Sequence, residues 1–404
     1  MGGFYLSKRY TELDSIRGLA SLSVLFHHCL LCFNIFLAAH FHNDSKNEFV
    51  NIISNSPLHI FWAGHESVIL FFILSGFVLS LPYINNKKQH YPTYIIKRII
   101  RIYFPYIITI FISGLFFTIL NPKGNYSELS DWFNQMWSNP ITPFTIISYL
   151  LMLGFDTHNL NTVSWSLVHE MRISFFFPLI MILITRFKRN ITLLFGLIGI
   201  YCLWITFSFL GWHISNSKIA FLIISLSNTF YYTSFFIAGA VLAKYKEFLI
   251  LKLKSLTFYF KLMILLIALL LYTIEWNIPG LGILKYTSTK IQLLGINLVI
   301  DWFITIGVLI LFIFALSSTK FKNLLKMRFL LHIGKISYSL YLIHPIILLL
   351  FIYLIRDTLP LSSILVFVPI ISVLVAHLMY KFIENPSILL GKKIVNNLNK
   401  LLKI

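Results

Sequence analysis

Ten stretches of this chain run for about 20 residues or more with almost no charge, long enough for a helix to cross a bilayer. They lie at about 16–39, 60–84, 99–120, 163–185, 191–211, 219–243, 257–275, 291–316, 330–355 and 361–383. A backbone in hydrocarbon must satisfy its own polar groups, so such runs fold as helices. The expected fold is an all-α polytopic membrane protein with ten transmembrane helices. With 58% hydrophobic and 12% charged residues, soluble globular and disordered classes are both excluded. A further run, Ile141 to Phe155, is apolar but short and holds Pro143.

The 33 Lys and Arg outnumber the 14 Asp and Glu, for a net charge of +19, and their placement sets the direction of the spans. With the N-terminus inside, inner segments hold Lys8, Arg9, Arg17, Lys87, Lys88, Lys97, Arg98, Arg101, Arg186, Lys188, Arg189, Lys244, Lys246, Lys252, Lys254, Lys320, Lys322, Lys326, Arg328, Lys392, Lys393, Lys400 and Lys403. Outer segments hold only Lys46, Lys123, Lys218, Lys285, Lys290 and Arg356. This is the asymmetry that orients membrane proteins. Treating 141–155 as a crossing would invert every later loop, so it is expected as one short re-entrant or interfacial outer segment. Both termini are then cytoplasmic. The basic excess is explained by orientation and by anionic membrane lipids, with no call for nucleic acid.

Residues 1–390 are expected to form one membrane domain and 391–404 a basic cytoplasmic tail, with no separate soluble domain. The first apolar run is too long for a signal-peptide core and is expected to remain as a span. Residues 121–143, carrying Trp132, Trp137, Pro122, Pro140 and Pro143, read as an ordered cap at the interface. Cys29, Cys32 and Cys202 sit in apolar runs and are expected as buried hydrophobes. No metal-ligand spacing, phosphate-binding loop or nucleophile elbow is present.

Ionisable residues inside a membrane are costly and mark function by default. Asp14 and Arg17 are three apart and pair on one helix face. His28 follows Arg17 by eleven residues, about three turns and roughly 16 Å deeper on the same face, near mid-bilayer. It is either a helix-packing hydrogen bonder or a functional group, whereas His27 points elsewhere and packs. Arg98 and Arg101 share a face at the start of the third span, suited to phosphate recognition or to lipid anchoring. Glu170 shares a face with Ser166. It either orients a sugar hydroxyl or a histidine, or it pairs with Arg172 or Lys335. Ser75-Gly76 allows close backbone approach, Tyr338, Tyr341 and His344-Pro345 form a polar stripe, Asp301 is a lone deep acid, and His377 is assigned to packing.

These residues carry a family resemblance. Leu13-Asp14-Ser15-Ile16-Arg17-Gly18-Leu19-Ala20 with His28 resembles the opening of the membrane acyltransferase-3 family. The likeness continues through Phe71-Phe72-Ile73-Leu74-Ser75-Gly76-Phe77, Arg98-x-x-Arg101 with Pro105, Trp165-Ser166-Leu167 with Glu170, and the run from Ile336 through Ser337, Tyr338, Ser339, Leu340, Tyr341, Leu342 and Ile343 to His344. Ser15 and Ile16 stand where Gly and Leu are commoner. The extracytoplasmic domain of some members is missing, which implies a stand-alone form.

The resemblance implies an O-acyltransferase that moves an acyl group, usually acetyl, from cytoplasmic acetyl-CoA to a hydroxyl of an extracytoplasmic or lipid-linked glycan. Such acceptors include lipopolysaccharide, capsule and exopolysaccharide sugars. It implies catalytic roles for His28 and, on the acceptor side, Glu170. Arg17, Arg98 and Arg101 would bind the donor, with Asp14, Ser75, Tyr341 and His344 orienting and no metal involved. The chemistry agrees: acyl-CoA is a polyanion suited to the arginines, and a sugar hydroxyl needs a base. His28 either serves as that base or carries the acyl group itself. The Lys-, Ile- and Asn-rich composition suggests a bacterial source, which would place the chain in the inner membrane. The competing reading is a secondary transporter or exporter of a small polar solute, motivated by the spans and by Glu170 and Asp301.

Overall fold

The computed structural model describes residues 10–42, 46–86, 89–122, 126–186, 190–278 and 280–401. Lys8, Arg9, Lys87, Lys88, Lys123, Lys188, Arg189 and Lys403, which entered the charge asymmetry, lie outside the described residues. The regular elements among the described residues are all helical. In chain order they are α1 (Thr11–Leu31), α2 (Asn34–His40), α3 (Glu48–Ser54), α4 (Gly64–Ile84), α5 (Tyr91–Leu120), α6 (Asp131–Asn134), α7 (Pro143–Leu150), α8 (Thr157–Leu160) and α9 (Ser164–Arg186). There follow α10 (Asn190–His213), α11 (Ser217–Ser255), α12 (Phe258–Tyr272), α13 (Ile274–Asn277), α14 (Leu281–Thr287), α15 (Lys290–Ser317), α16 (Thr319–Leu325), α17 (Arg328–Ile355), α18 (Ile364–Met379) and α19 (Asn385–Leu401).

Each of the ten expected segments coincides with a helix, but they are not equally fit to span. Among the described residues, seven helices are long and apolar enough by length and composition, or eight if the bent α1–α2 pair counts as one. The two that fall short have identifiable reasons. The N-terminal half of α11 carries Ser225, Ser227, Asn228, Thr229, Tyr231, Tyr232, Thr233 and Ser234, which dilute its hydropathy. The 15-residue α12 is about 22 Å long, short of the hydrocarbon core.

The first span departs most from expectation. Instead of one helix through residue 39, α1 stops at Leu31 and the chain turns by 117° into α2. The break is held from outside. Ser130 donates its hydroxyl to the Leu31 carbonyl and its amide to the Cys32 carbonyl at 3.0 Å, satisfying acceptors that a helix end leaves orphaned. His28 therefore lies in the last turn of α1, not at the middle of a long span.

The outer segment is ordered and does not cross. At eight residues α7 spans only about 12 Å. Asn159 ties the cap together: its carbonyl accepts from the Trp137 amide and its side-chain oxygen accepts from the amides of Ser138 and Asn139. At the other end, residues 391–401 of the basic tail are helical. They continue α19, where Gly391 lies against Ile100 of α5. Cys29 and Cys32 are buried as expected, but Cys202 is exposed on α10.

Helices cross where glycines remove side chains. A Cβ on Gly18 would lie 2.6 Å from the Gly334 nitrogen, so α1 and α17 touch at backbone level beside Arg17. At the α4–α11 crossing, a Cβ on Gly76 would strike the Phe236 carbonyl oxygen and one on Gly239 the Ile73 carbonyl oxygen. Backbone cannot yield as a side chain can. Gly239→Ala is therefore expected to cost about 3 kcal/mol, read as loss of folded, monodisperse protein in thermal unfolding.

Candidate active site

One cavity gathers residues from five helices. Arg17 comes from α1, Ser75 from α4, Arg98 and Arg101 from α5, Glu170 from α9 and Tyr341 from α17. Residues scattered over more than 300 positions of sequence thus share one wall.

Each arginine is held by its own neighbours. Arg17 donates from Nε to the Ser337 hydroxyl at 2.7 Å and from Nη2 to the Gly334 carbonyl at 3.1 Å, and pairs with Asp14 at 3.7 Å. The Gly18–Gly334 contact makes that reach possible. Arg98 pairs with Glu170 at 2.8 Å and donates to Ser174 from both Nε and Nη2. Ser75 donates to the same carboxylate oxygen at 3.2 Å. Ser166, Glu170 and Ser174 are spaced four apart on α9, so one stripe of that helix supplies the polar wall. Arg101, three residues after Arg98, also lines the cavity and is exposed to it.

The sequence leaves Glu170 either as a functional carboxylate, on the acceptor side by the family resemblance, or as an ion-pair partner of Arg172 or Lys335. It lines the arginine cavity, and its ion-pair partner is Arg98 from α5. Arg172 is engaged with Ser225 and the Leu153 carbonyl, and the Lys335 ammonium sits over the Tyr380 ring. Among the described residues no hydrogen bond joins Glu170 to His28. Three arginines and one carboxylate, Glu170, line the cavity, with Asp14 paired to Arg17 at its edge; guanidinium groups gathered in this way suit phosphate.

His28 does not line this cavity; it lies beyond it. Tyr341, on the cavity wall, is hydrogen-bonded to Ser166 at 2.8 Å, and its ring centroid is 6.2 Å from that of His344. His344 Nε2 is 2.9 Å from His28 Nδ1, and its own Nδ1 is 3.0 Å from the Leu340 carbonyl. These contacts fix the tautomers. A carbonyl can only accept, so the proton of neutral His344 sits on Nδ1 and its Nε2 is a bare acceptor. His28 must then donate from Nδ1, which leaves His28 Nε2 with a free lone pair. Above His28 the Trp132 ring lies 4.9 Å away, centroid to centroid. His158 holds Trp132 through a hydrogen bond to its carbonyl at 3.0 Å, with Thr162 on the other ring nitrogen. Burial lowers the pKa of His158, in keeping with a neutral ring in this chain of contacts.

Three ionisable residues, Glu384, His65 and Glu66, stand outside the sequence motifs named above. Glu384 accepts from Ser339 at 2.6 Å within a five-residue π turn, Tyr380–Glu384. His65 pairs with Asp301 at 2.7 Å, and Tyr231 donates to the other oxygen of Asp301. Glu66 accepts from the Trp276 indole at 2.9 Å. An acid or histidine within an apolar run was signal enough to find all three. Among the described residues no group of His, Cys, Asp and Glu is arranged to hold a metal ion.

Comparison with curated proteins and with solved structures gave no match. A family model, described as an acyltransferase domain, matches residues 10–381, a range that takes in the arginine cavity and both histidines. The chain belongs to the membrane acyltransferase-3 family, and is a multi-pass integral membrane acyltransferase.

Proposed function

We propose that this acyltransferase moves an acetyl group from acetyl-CoA to a hydroxyl of a glycan, such as a lipopolysaccharide, capsule or exopolysaccharide sugar, in a bacterial inner membrane. The observation that carries this reading is the convergence of Arg17, Arg98 and Arg101 on one cavity whose wall leads through Tyr341 to the His344–His28 pair. The proposal includes ten spans, with α11 and the α12–α13 segment completing the set, both termini cytoplasmic, and a donor entering from the side of Arg17. Arg17, Arg98 and Arg101 grip the donor phosphates. Asp14, Ser75 and Glu170 position those guanidiniums.

His28 is the base in this reading. Its Nε2 takes the proton of the acceptor hydroxyl as that oxygen attacks the thioester carbonyl. The new C–O ester bond forms, the C–S bond breaks, and the imidazolium returns its proton to the departing CoA sulfur. His344 keeps Nε2 of His28 unprotonated before each turnover, and Tyr341 positions His344. The transporter reading loses its motive, since Glu170 is paired with Arg98 and Asp301 with His65.

Mass spectrometry of surface glycans from cells with and without the protein tests the assignment: acetyl esters should vanish with it, and an unchanged ester content would sink it. The tautomer argument has its own test. His344→Leu is expected to lower kcat about 100-fold, and His344→Gln, whose amide oxygen can still accept from His28 Nδ1, only about tenfold. Equal losses would show that His344 merely fills space.

A further inference from the structure

A second groove, of about 860 Å3, opens between the Gly154–His158 turn, α9 and α11. It shares no lining residue with the arginine cavity. Part of its polar surface is already engaged: His169 bonds Thr229 at 2.9 Å, and Ser225 accepts from Arg172 at 2.8 Å. Other polar groups are not. The Trp165 indole N–H, the Tyr232 hydroxyl and the Asn228 amide line the groove and make no hydrogen bond among the described residues. Trp165 and Tyr232 stand with ring centroids 5.6 Å apart, and the exposed Asp156 carboxylate also lines the groove, with the Asn139 amide donating to it.

We infer that this groove seats a neutral sugar ring of an oligosaccharide acceptor, next along the chain from the ring that is acylated. A pyranose presents one face of C–H bonds and an edge of hydroxyls. The indole of Trp165 offers a flat apolar face to the first. Asn228, Tyr232 and Asp156 together offer donors and acceptors to the second. The Asp156 carboxylate disfavours an acidic sugar or a phosphate, and the one guanidinium behind the wall, Arg172, is already engaged. The groove also leads to the reacting end. His158 lines it, its ring lies 5.6 Å from that of Trp132, and Trp132 lies 4.9 Å from His28. A ring resting on Trp165 therefore places its chain neighbour beneath the cap, toward His28.

The inference rests on the glycan acyltransferase reading for its purpose, and its test reads binding without turnover. Saturation-transfer NMR on the full chain in lipid nanodiscs uses maltose and the methyl glycosides of glucose, galactose, rhamnose and N-acetylglucosamine as probes, with methyl glucuronide as the charged control. At least one neutral probe should bind, and the glucuronide should bind more weakly than it. Asn228→Leu and Trp165→Leu should each weaken that binding about tenfold, whereas Arg101→Gln, in the other cavity, should leave it unchanged. Asn228 has no hydrogen-bond partner among the described residues to lose, so it remains informative even if Trp165→Leu unfolds. Absence of binding by every neutral probe, or binding that survives the Asn228 substitution, overturns the seat. Binding lost in the variants of a chain that acylates no glycan would remove the enzyme assignment alone. Acyl transfer undisturbed by Asn228→Leu would remove the seat alone.

Discussion

His28→Ala is expected to lower acyl transfer about 1,000-fold, within the range that a positioned general base supplies, with little change in folding. The side chain is half-buried at the last turn of α1, and among the described residues its hydrogen-bond partner is a single histidine. Removing it leaves His344 Nε2 without a donor, a cost of about 1 kcal/mol, while the helix end stays pinned by Ser130. Donor binding should be unaffected, since the arginine cavity does not include His28. The measurement is turnover in vesicles beside acetyl-CoA affinity and a melting curve. Retained turnover would remove His28 as the base, and a parallel loss of donor affinity would show that the two regions are one site.

The second large effect concerns Arg98, where stability and donor binding can be separated. The Arg98 and Glu170 side chains are only 10% and 20% exposed, so Arg98→Met strands a mostly buried carboxylate. A loss of about 3 kcal/mol is expected, the scale for breaking one side of such a pair. Removing the partner as well, in Arg98→Met with Glu170→Leu, should restore most of that stability, because no charge is then left unpaired. It should not restore the donor. The double variant is expected to bind acetyl-CoA at least tenfold more weakly than the parent, from the loss of a charge-assisted contact to phosphate. Recovery of both properties together would make Arg98 a structural ion-pair partner only.

What the sequence made legible followed local periodicity. Helices occupy all ten apolar segments, Asp14 and Arg17 pair at three residues' spacing, and Arg98 and Arg101 line the same cavity. What it hid depended on partners far away in the chain. The bend after Leu31 has neither Gly nor Pro to announce it; Cys32 and Phe33 look like any helix interior, and the cause is Ser130, 99 residues on. Glu170 was placed by depth alone, yet its position is decided by Arg98, 72 residues earlier. His28 and His344, 316 residues apart, were singled out separately, and nothing local could pair them. The short α12 and the polar half of α11 were read as ordinary spans because a 20-residue window averages over both.

The unbroken course of α1 from Arg17 to His28 turns the helix into a caliper. Its two jaws, the backbone positions that carry the guanidinium and the imidazole, are fixed roughly 16 Å apart by the rise of eleven residues, and neither can slide toward the other. A donor must therefore carry its negative charge and its acyl carbon at opposite ends of a long arm. An acyl phosphate, in which the two are bonded neighbours, fills one jaw and leaves the other empty. Under the proposed function, coenzyme A thioesters are donors whose length meets this spacing.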